Sequence, residues 1–322
     1  MRIGVVISLL FIVGACSNND NNYIKPPGFD DGLADGINYG IAAKYPGDKG
    51  IENDPDVLAI ENFEAGEVTI YTEYDRYKEN VDVVNSDKYT GVFCGRHEWP
   101  EGLNGPTCRY PIPEKAHVGQ NPSYFVRMYL KYDKSFHPGD GMEPVGVKGF
   151  GIYNESETGV PCDGTNWYCV SCQFVGWGPS AKPEANDKYL WFGHMYSYNP
   201  APEDAYAQMG KIKISNPSTG DEPYRFSIYS DPYKYLKFDE WYCYELGLYL
   251  NTPGENNGEA RFWIDGVLQS RATNMRFRDL ENLKPEYVQL NLHRTTENFP
   301  QTMIRYADNI VIATRYIGPV VK

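Results

Sequence analysis

Residues 124–132 read Tyr-Phe-Val-Arg-Met-Tyr-Leu-Lys-Tyr, and this stretch decides the fold class of the 322-residue chain. Successive side chains of a β-strand point to opposite faces, whereas an α-helix returns to the same face after about 3.6 residues. Apolar residues recur here at every second position, so the stretch is predicted to be a strand with two chemically different faces. One face carries Tyr124, Val126, Met128, Leu130 and Tyr132, and the other carries Phe125, Arg127, Tyr129 and Lys131.

Strands of the same kind are predicted through the rest of the chain, and no long helical pattern interrupts them. The 31 glycines and 23 prolines are spread between the strands, as many short turns require. Asp265-Gly266 is a two-residue hairpin signal. Residues 92–119 show little periodicity and are predicted to form a long loop. The pattern favours an all-β sandwich or jelly roll over a βαβ fold. The other predicted strands are 57–60, 189–198, 241–251, 259–265, 287–293 and 304–317.

The N-terminus has the layout of a secretory signal. Met1 and Arg2 precede an apolar run at residues 3–13, and Gly14-Ala15-Cys16 follows the run. The run is too short to cross a bilayer as a helix. Its ending resembles the lipobox of bacterial lipoproteins, which implies cleavage before Cys16 and lipidation of the Cys16 thiol. An ordinary signal peptide with an incidental cysteine is the alternative.

Three regions follow from this interpretation. Residues 1–15 are the lipoprotein signal peptide, 16–55 a tether and extended N-terminal segment, and 56–322 the jelly-roll β-sandwich domain. Ser17 after the cysteine resembles the outer-membrane sorting signal of Gram-negative lipoproteins. We therefore expect an outer-membrane lipoprotein that faces the periplasm or the cell surface and contacts the membrane through its lipid only.

The net charge of −13 argues against nucleic acid as a partner, because the phosphate backbone would repel the protein. The same charge fits poorly with a strongly anionic substrate unless a local basic groove overrides the average.

Six cysteines follow the lipobox, and an even number in an oxidising compartment predicts up to three disulfides. Cys94 with Cys108 would staple one loop, and Cys162 with Cys169 or Cys172 would staple another. The C-x-x-C of Cys169 and Cys172 would need a second ligand pair to hold zinc, and the sequence has no matching motif. No cofactor and no metal are expected.

Several segments together resemble the concanavalin A-like jelly rolls of secreted, polysaccharide-lyase-like bacterial proteins. Residues 54–58 and 61–64 are similar to the first strand of that fold, and 124–133 to its Y-x-R-x-Y-x-K-F/Y strand. The segments 241–245, 250–254, 257–259 and 262–266 are similar to its W-x-x-x-E … L-N-T-P-G … N-G … W-x-D-G pattern, and 308–313 with 316–319 to its closing strand. The resemblance implies the jelly-roll fold, and a shared fold does not by itself transfer a reaction.

In such proteins the ligand lies across a concave sheet, so the resemblance implies a site among polar side chains on one strand face. A lyase that acts on a uronic-acid polymer needs a group that neutralises the carboxylate, a base and an acid. We expect Gln289 or Asn291 to hold the carboxylate and His293 to act as the base. Tyr196 or Tyr198, on a second strand, would be the acid. A solvated outer face is the structural alternative.

Two further strand faces complete the candidate set. His194 shares its predicted face with the two tyrosines and is a catalytic candidate. Arg127 is a catalytic candidate and Lys131 a substrate-binding candidate on a third face, where Lys131 would otherwise lie at a rim.

Residues 148–154 resemble the tyrosine-bearing strand of alginate lyases, but Glu155 stands where that pattern has glutamine, and the arginine-rich partner motif is absent. The E-x-D-x-x-E spacing of jelly-roll glucanases, which supplies paired carboxylates, is absent as well. Three functions therefore stay open: a lyase that cleaves an acidic polysaccharide, a non-catalytic glycan-binding lipoprotein, and a structural envelope protein.

Overall fold

The computed structural model describes residues 40–70, 78–103, 105–117, 119–136, 146–154, 160–177, 190–200, 206–209, 211–215, 225–229, 235–294 and 301–322. The helical segments among them are short 3-10 turns, and none is long and apolar enough to cross a membrane. The strands are β1 Val57–Glu61, β2 Val81–Val84, β3 Cys94–Trp99, β4 Thr107–Pro111, β5 Ser123–Tyr132, β6 Gly146–Tyr153, β7 Cys169–Trp177, β8 Leu190–Tyr198, β9 Tyr206–Met209, β10 Lys211–Ser215, β11 Arg225–Tyr229, β12 Tyr235–Leu236, β13 Tyr242–Tyr249, β14 Gly258–Ile264, β15 Val267–Met275, β16 Tyr287–Arg294 and β17 Met303–Ala313.

These strands form two antiparallel sheets. Sheet I runs in the order β2-β3-β17-β5-β13-β14-β15-β9, and β1 also pairs with β17. Sheet II runs in the order β10-β11-β8-β7-β6-β16-β4, and β12 also pairs with β8. Neighbours in each sheet are often distant in sequence, so the register of β16 between β4 and β6 brings together three remote parts of the chain.

The two faces of β5 lie in different surroundings, as their alternation predicts. Tyr124, Val126 and Met128 lie in the interior, where they meet inward side chains of sheet II that include Val288 and Leu290. Removing these apolar surfaces from water is the main favourable term in holding the two sheets together.

The outer face of sheet I is covered by two ends of the described chain. Three short 3-10 turns and the segment 316–322 pack over Phe125 and Trp263. Residues 40–55, the described part of the segment predicted as tether and extended approach, therefore belong to the folded domain. The turns are Ile41–Lys44, Pro46–Asp48 and Ile51–Asn53.

Beneath this cover lies a buried ion pair between Arg127 and Asp48. One Asp48 oxygen accepts from Arg127 Nη1 at 3.1 Å and the other from Nη2. The guanidinium also donates to the carbonyls of Asn309 at 3.1 Å and Gly318 at 3.3 Å. Burial opposes the charge of Arg127, but the adjacent Asp48 carboxylate raises its pKa above the ordinary value. Arg127 is therefore a structural cation in this fold.

The prediction of a long loop at residues 92–119 was wrong, because β3 and β4 both lie within it. β3 belongs to sheet I and β4 to sheet II, so the chain crosses between the sheets here. Each strand has only six or five residues, and prolines flank both, which hides the two-residue period.

The predicted disulfides were also wrong, because none of the six described cysteines forms a disulfide. Cys108 lies in the interior, whereas Cys94 lies in the other sheet and donates its thiol to the Asp87 carbonyl at 3.0 Å. Cys169 and Cys172 lie on opposite sides of β7, in two different apolar clusters. They cannot share a ligand or a bond, and among the described residues no three His, Cys, Asp or Glu converge on a metal position.

The hairpin predicted at Asp265-Gly266 is confirmed. The two residues join β14 to β15 directly, and Ile264 pairs with Val267 across the turn. Their φ angles are 52° and 76°, as a two-residue turn that matches the strand twist requires.

Asp48→Ala is expected to lower the free energy of unfolding by about 3–5 kcal/mol, because it leaves the buried Arg127 charge without its carboxylate. Asp56→Ala is the matched control. Asp56 pairs with Arg315 at 3.3 Å where both side chains meet water, so its loss should cost at most about 1 kcal/mol. Urea unfolding followed by tryptophan fluorescence measures both, and equal losses would contradict the structural role of Arg127.

Candidate functional site

One row of register partners crosses seven strands of sheet II. Residues that face each other in neighbouring antiparallel strands share a side of the sheet. Because Val288 and Leu290 lie in the interior, Gln289 between them points away from sheet I, as do the other described side chains of the row. Read from β4 to β10, the row is Arg109, Gln289, Gly151, Ser171, Tyr196, Ser227 and Lys213.

The described strands of sheet II contain cations but neither aspartate nor glutamate. Their cations are Arg109, Lys148, Lys211, Lys213, Arg225 and Arg294. The strands of sheet I hold Glu61, Asp82, Glu98, Glu245, Glu259 and Asp308. An anionic ligand therefore meets less repulsion along the strands of sheet II than the net charge of −13 suggests.

A directed chain of hydrogen bonds joins four side chains on the outer face of sheet II. Arg109 Nε donates to Gln289 Oε1 at 3.0 Å, and Gln289 Nε2 donates to Asn291 Oδ1. Asn291 Nδ2 then donates to the Tyr153 hydroxyl oxygen at 3.2 Å. The guanidinium has donors only, so it fixes the orientation of both amides. The Tyr153 oxygen is therefore an acceptor in this chain, and its own proton points elsewhere.

Gly151 and Tyr153 lie on the same face of β6, beside Gln289 and Tyr287 of β16. Gly151 lets β7 approach closely, because a Cβ at this position would lie 2.6 Å from the Ser171 Cβ. Burial raises the pKa of Tyr153 well above 10, so the phenol keeps its proton at neutral pH.

Aromatic side chains line the same face beside this chain. The Tyr153 and Tyr287 rings stack with centroids 5.6 Å apart, and Arg109 lies 4.5 Å over the Tyr287 ring. Tyr196 donates its hydroxyl to the Tyr198 hydroxyl at 3.0 Å, and the Tyr198 ring meets Trp167 at 5.1 Å. Tyr196 and Tyr198 are half-buried. The register places Tyr196 on the same face of sheet II as Gln289.

The two predicted histidines occupy a further row of this sheet. His293 pairs with Lys148, Lys148 with Gln173, and Gln173 with His194. The side chain of His293 lies outside the described part of the structure, so its role as base stays a prediction. His194 is only 3% exposed, and burial lowers its pKa to about 4. A base with that pKa is mismatched to neutral pH, which disfavours His194 as the proton acceptor.

Arg127 and Lys131 do not join this site, which corrects their predicted roles. Both point outward from sheet I, on the opposite side of the sandwich. Arg127 forms an ion pair with Asp48, and Lys131 forms one with Asp87. The Lys131 Nζ also lies over the Tyr306 ring, 4.8 Å from its centroid. Cys16, the predicted lipidation site, lies outside the described residues.

A cleft of about 610 Å³ opens at one end of the sandwich, away from these residues. Its polar side chains largely bind one another: Arg315 pairs with Asp56 at 3.3 Å, and Ser123 donates to the Thr314 carbonyl at 2.8 Å.

No protein-family model matches the sequence, and no curated protein is significantly similar to it. The alginate lyase Aly36B has a similar structure, with a TM-score of 0.56 and 13% identity over 82% of this chain and 99% of its own. A double mutant of Aly36B in complex with alginate trisaccharide gives a TM-score of 0.55 at 14% identity, with the same coverage. The marine PL-14 alginate lyase from Aplysia kurodai gives 0.51 at 14% identity, over 80% and 99%.

The fold is a polysaccharide-lyase-like jelly roll. This confirms the fold class predicted from the alternating strands and the resemblance. At these identities the likeness establishes the fold and no activity.

The sequence interpretation missed Tyr153, Arg109 and Ser171 as site residues. A signal for Tyr153 was present, because residues 148–154 resemble the tyrosine-bearing strand of alginate lyases. Arg109 lay in the segment predicted as a loop. Its position beside Gln289 depends on the pairing of β4 with β16, which no local pattern predicts.

Protein stability is expected to fall as the pH is lowered from about 6.5 to 4. In that range His194 becomes protonated in the unfolded chain. In the folded protein the buried imidazole stays neutral down to a pH near its lowered pKa of about 4. The difference between the two states amounts to about 3 kcal/mol at most. Burial also lowers the pKa of His97, which acts in the same direction.

The measurement is urea unfolding at pH 7 and pH 4.5 for the wild type and His194→Gln. The substitution should reduce the pH dependence without abolishing it, because His97 remains. An unchanged pH dependence would show that His194 is open to water.

Proposed function

We propose that the protein binds an acidic polysaccharide on the outer face of sheet II and cleaves it by β-elimination. The observation that carries this proposal is a face with guanidinium, amide and phenol groups, on strands whose described residues include no aspartate or glutamate. Those groups match an anionic sugar, and the polysaccharide-lyase-like fold supports the same reading.

Arg109, Gln289 and Asn291 are proposed to hold the uronate carboxylate. Removal of the proton beside the carboxylate moves negative charge onto the carboxylate oxygens. Fixed N–H donors stabilise that charge most strongly in the transition state, where it is largest. The hydrogen bonds among the three side chains keep these donors oriented before the substrate arrives.

Tyr153 is proposed as the acid and His293 as the base. The base takes the proton from the carbon next to the carboxylate, and that electron pair forms the new carbon–carbon double bond as the glycosidic C–O bond breaks. The departing oxygen takes the phenol proton. Tyr153 suits this role because its raised pKa retains the proton and its oxygen already accepts from Asn291. Tyr196 is the alternative acid.

Glycoside hydrolysis fits the face less well. It needs a pair of carboxylates on either side of the bond that breaks, and the described strands of sheet II carry none.

Non-catalytic glycan binding is the second candidate. The contact between Trp167 and Tyr198 places aromatic rings beside the polar row, and aromatic faces bind sugar rings without any proton transfer. Under this alternative the hydrogen-bonded row would serve only to recognise the carboxylate.

The purified protein is expected to release unsaturated products from at least one acidic polysaccharide, measured as a rise in ultraviolet absorbance. Tyr153→Phe should lower kcat by about 10²–10⁴-fold because the proton donor is lost. Asn291→Ala should lower kcat by about 10²–10³-fold because a donor to the developing charge is lost. Tyr306→Phe, on the outer face of sheet I, is the matched control and should keep the wild-type rate.

Binding of a glycan without any absorbance rise across a broad panel would contradict the lyase and leave a binding protein. Retained activity in both Tyr153→Phe and Asn291→Ala would place the reaction elsewhere on the molecule.

We also propose that the protein is an extracytoplasmic lipoprotein, anchored in the outer membrane through Cys16. The support is the lipobox-like sequence, since residues 1–39 lie outside the described part of the chain. Cys16→Ser is expected to abolish incorporation of labelled fatty acid and to move the protein from the membrane to the soluble fraction. Unchanged membrane association of this variant would contradict the anchor.

A further inference from the structure

Arg305 reaches from sheet I through the interior to the backbone of sheet II. It lies on β17 and is fully buried. Its Nη1 donates to the carbonyl oxygen of Asn291 at 2.7 Å, and its guanidinium lies 5.9 Å from the centre of the Tyr132 ring. This contact joins the interior of sheet I to the residue that donates to Tyr153 on the outer face of sheet II.

The contact falls on an irregularity of β16. The register between β16 and β6 shifts between Leu290 and His293, and Asn291 lies inside the shift. Where a strand carries an extra residue, a backbone group drops out of the ladder, and a buried carbonyl must find another donor. Arg305 supplies that donor from the opposite sheet.

Arg305 is charged, whereas its buried neighbour His97 is neutral. His97 is its register partner on β3 and is also fully buried. Burial lowers the pKa of His97 well below its usual value, and the charge of Arg305 lowers it further, so His97 is neutral. A hydrogen bond from a charged donor is stronger than one between neutral groups, which suits a contact that must fix a bulge.

We propose that Arg305 is a positioning residue for the site on sheet II. It holds the part of β16 where the register shifts, around Asn291, in one conformation. This directs the side-chain amide of Asn291 towards Tyr153. The proposal rests on the proposed function for its catalytic consequence, whereas its conformational consequence stands by itself.

The test compares Arg305→Met and Arg305→Lys with the same substitutions at Arg278. Arg278 is the matched control because it is equally buried and its guanidinium also binds backbone carbonyls, those of Gln120, Asn251, Glu281 and Leu283. None of those carbonyls belongs to β16. Hydrogen exchange of the peptide spanning residues 287–294 and kcat/KM per folded molecule are measured for all variants.

Arg305→Met is expected to speed amide exchange in residues 287–294 and to lower kcat/KM by about 10²-fold, the effect of a displacement of roughly 1 Å at a reacting group. Arg305→Lys, which keeps the charge, should recover part of both. The Arg278 variants should lose stability but keep the β16 exchange rate and the activity per folded molecule.

Equal effects of the two arginines on β16 exchange would overturn the proposal, and so would unchanged exchange in the Arg305 variants. Should Arg305→Met fail to fold, the comparison of Arg305→Lys with Arg278→Lys decides in the same way. Should the wild type bind a glycan without cleaving it, the dissociation constant replaces kcat/KM. A wild type that neither binds nor cleaves refutes the proposed function, and the exchange rates still decide the role of Arg305.

Discussion

The buried ion pair between Arg127 and Asp48 closes the outer face of sheet I. It ties the N-terminal turns to the centre of sheet I. Glu245 holds the C-terminal segment 316–322 by accepting from the backbone N–H groups of Ile317 and Gly318 at 2.7 Å each. Lifting either cover would expose or unpair a buried charge, which is far costlier than exposing apolar surface alone. The central strands of sheet I are therefore covered. On the side of sheet II that points away from sheet I, Arg109, Gln289 and Tyr196 are partly exposed, whereas Asn291 and Tyr153 are buried.

The same use of buried charge explains how an acidic protein can present a face that suits an anion. Three buried carboxylates in the strands of sheet I bind internal partners: Glu61 accepts from the backbone of Phe63, Asp308 from that of Tyr89, and Glu259 pairs with Arg261. These carboxylates stabilise the fold and lie in the sheet opposite the polar row. The described strands of sheet II hold no aspartate or glutamate, and their charged side chains are arginines and lysines.

The sequence was sufficient for the strands, because period-two alternation is a local property. It predicted β5, the hairpin at Asp265-Gly266 and the shared face of Gln289 and Asn291. It could not separate that face from the polar face of Arg127, because alternation shows that two faces differ but not which one a distant segment covers. The partner of Arg127 lies 79 positions away, and the partner of Gln289 lies 180 away. Such pairings are set by the topology of the whole sandwich.

Asn291 shows why a site on one sheet can depend on the other. Its side chain lies in the hydrogen-bonded row on the outside, while its carbonyl is held from the inside by Arg305. Packed sheets lie about 10 Å apart, a gap that most side chains cannot bridge to the facing backbone. An arginine is long enough to bridge this gap, but only while the distance between the sheets stays constant. The apolar core that separates the sheets therefore also sets the position of Asn291, and through it the direction in which the Tyr153 proton is presented.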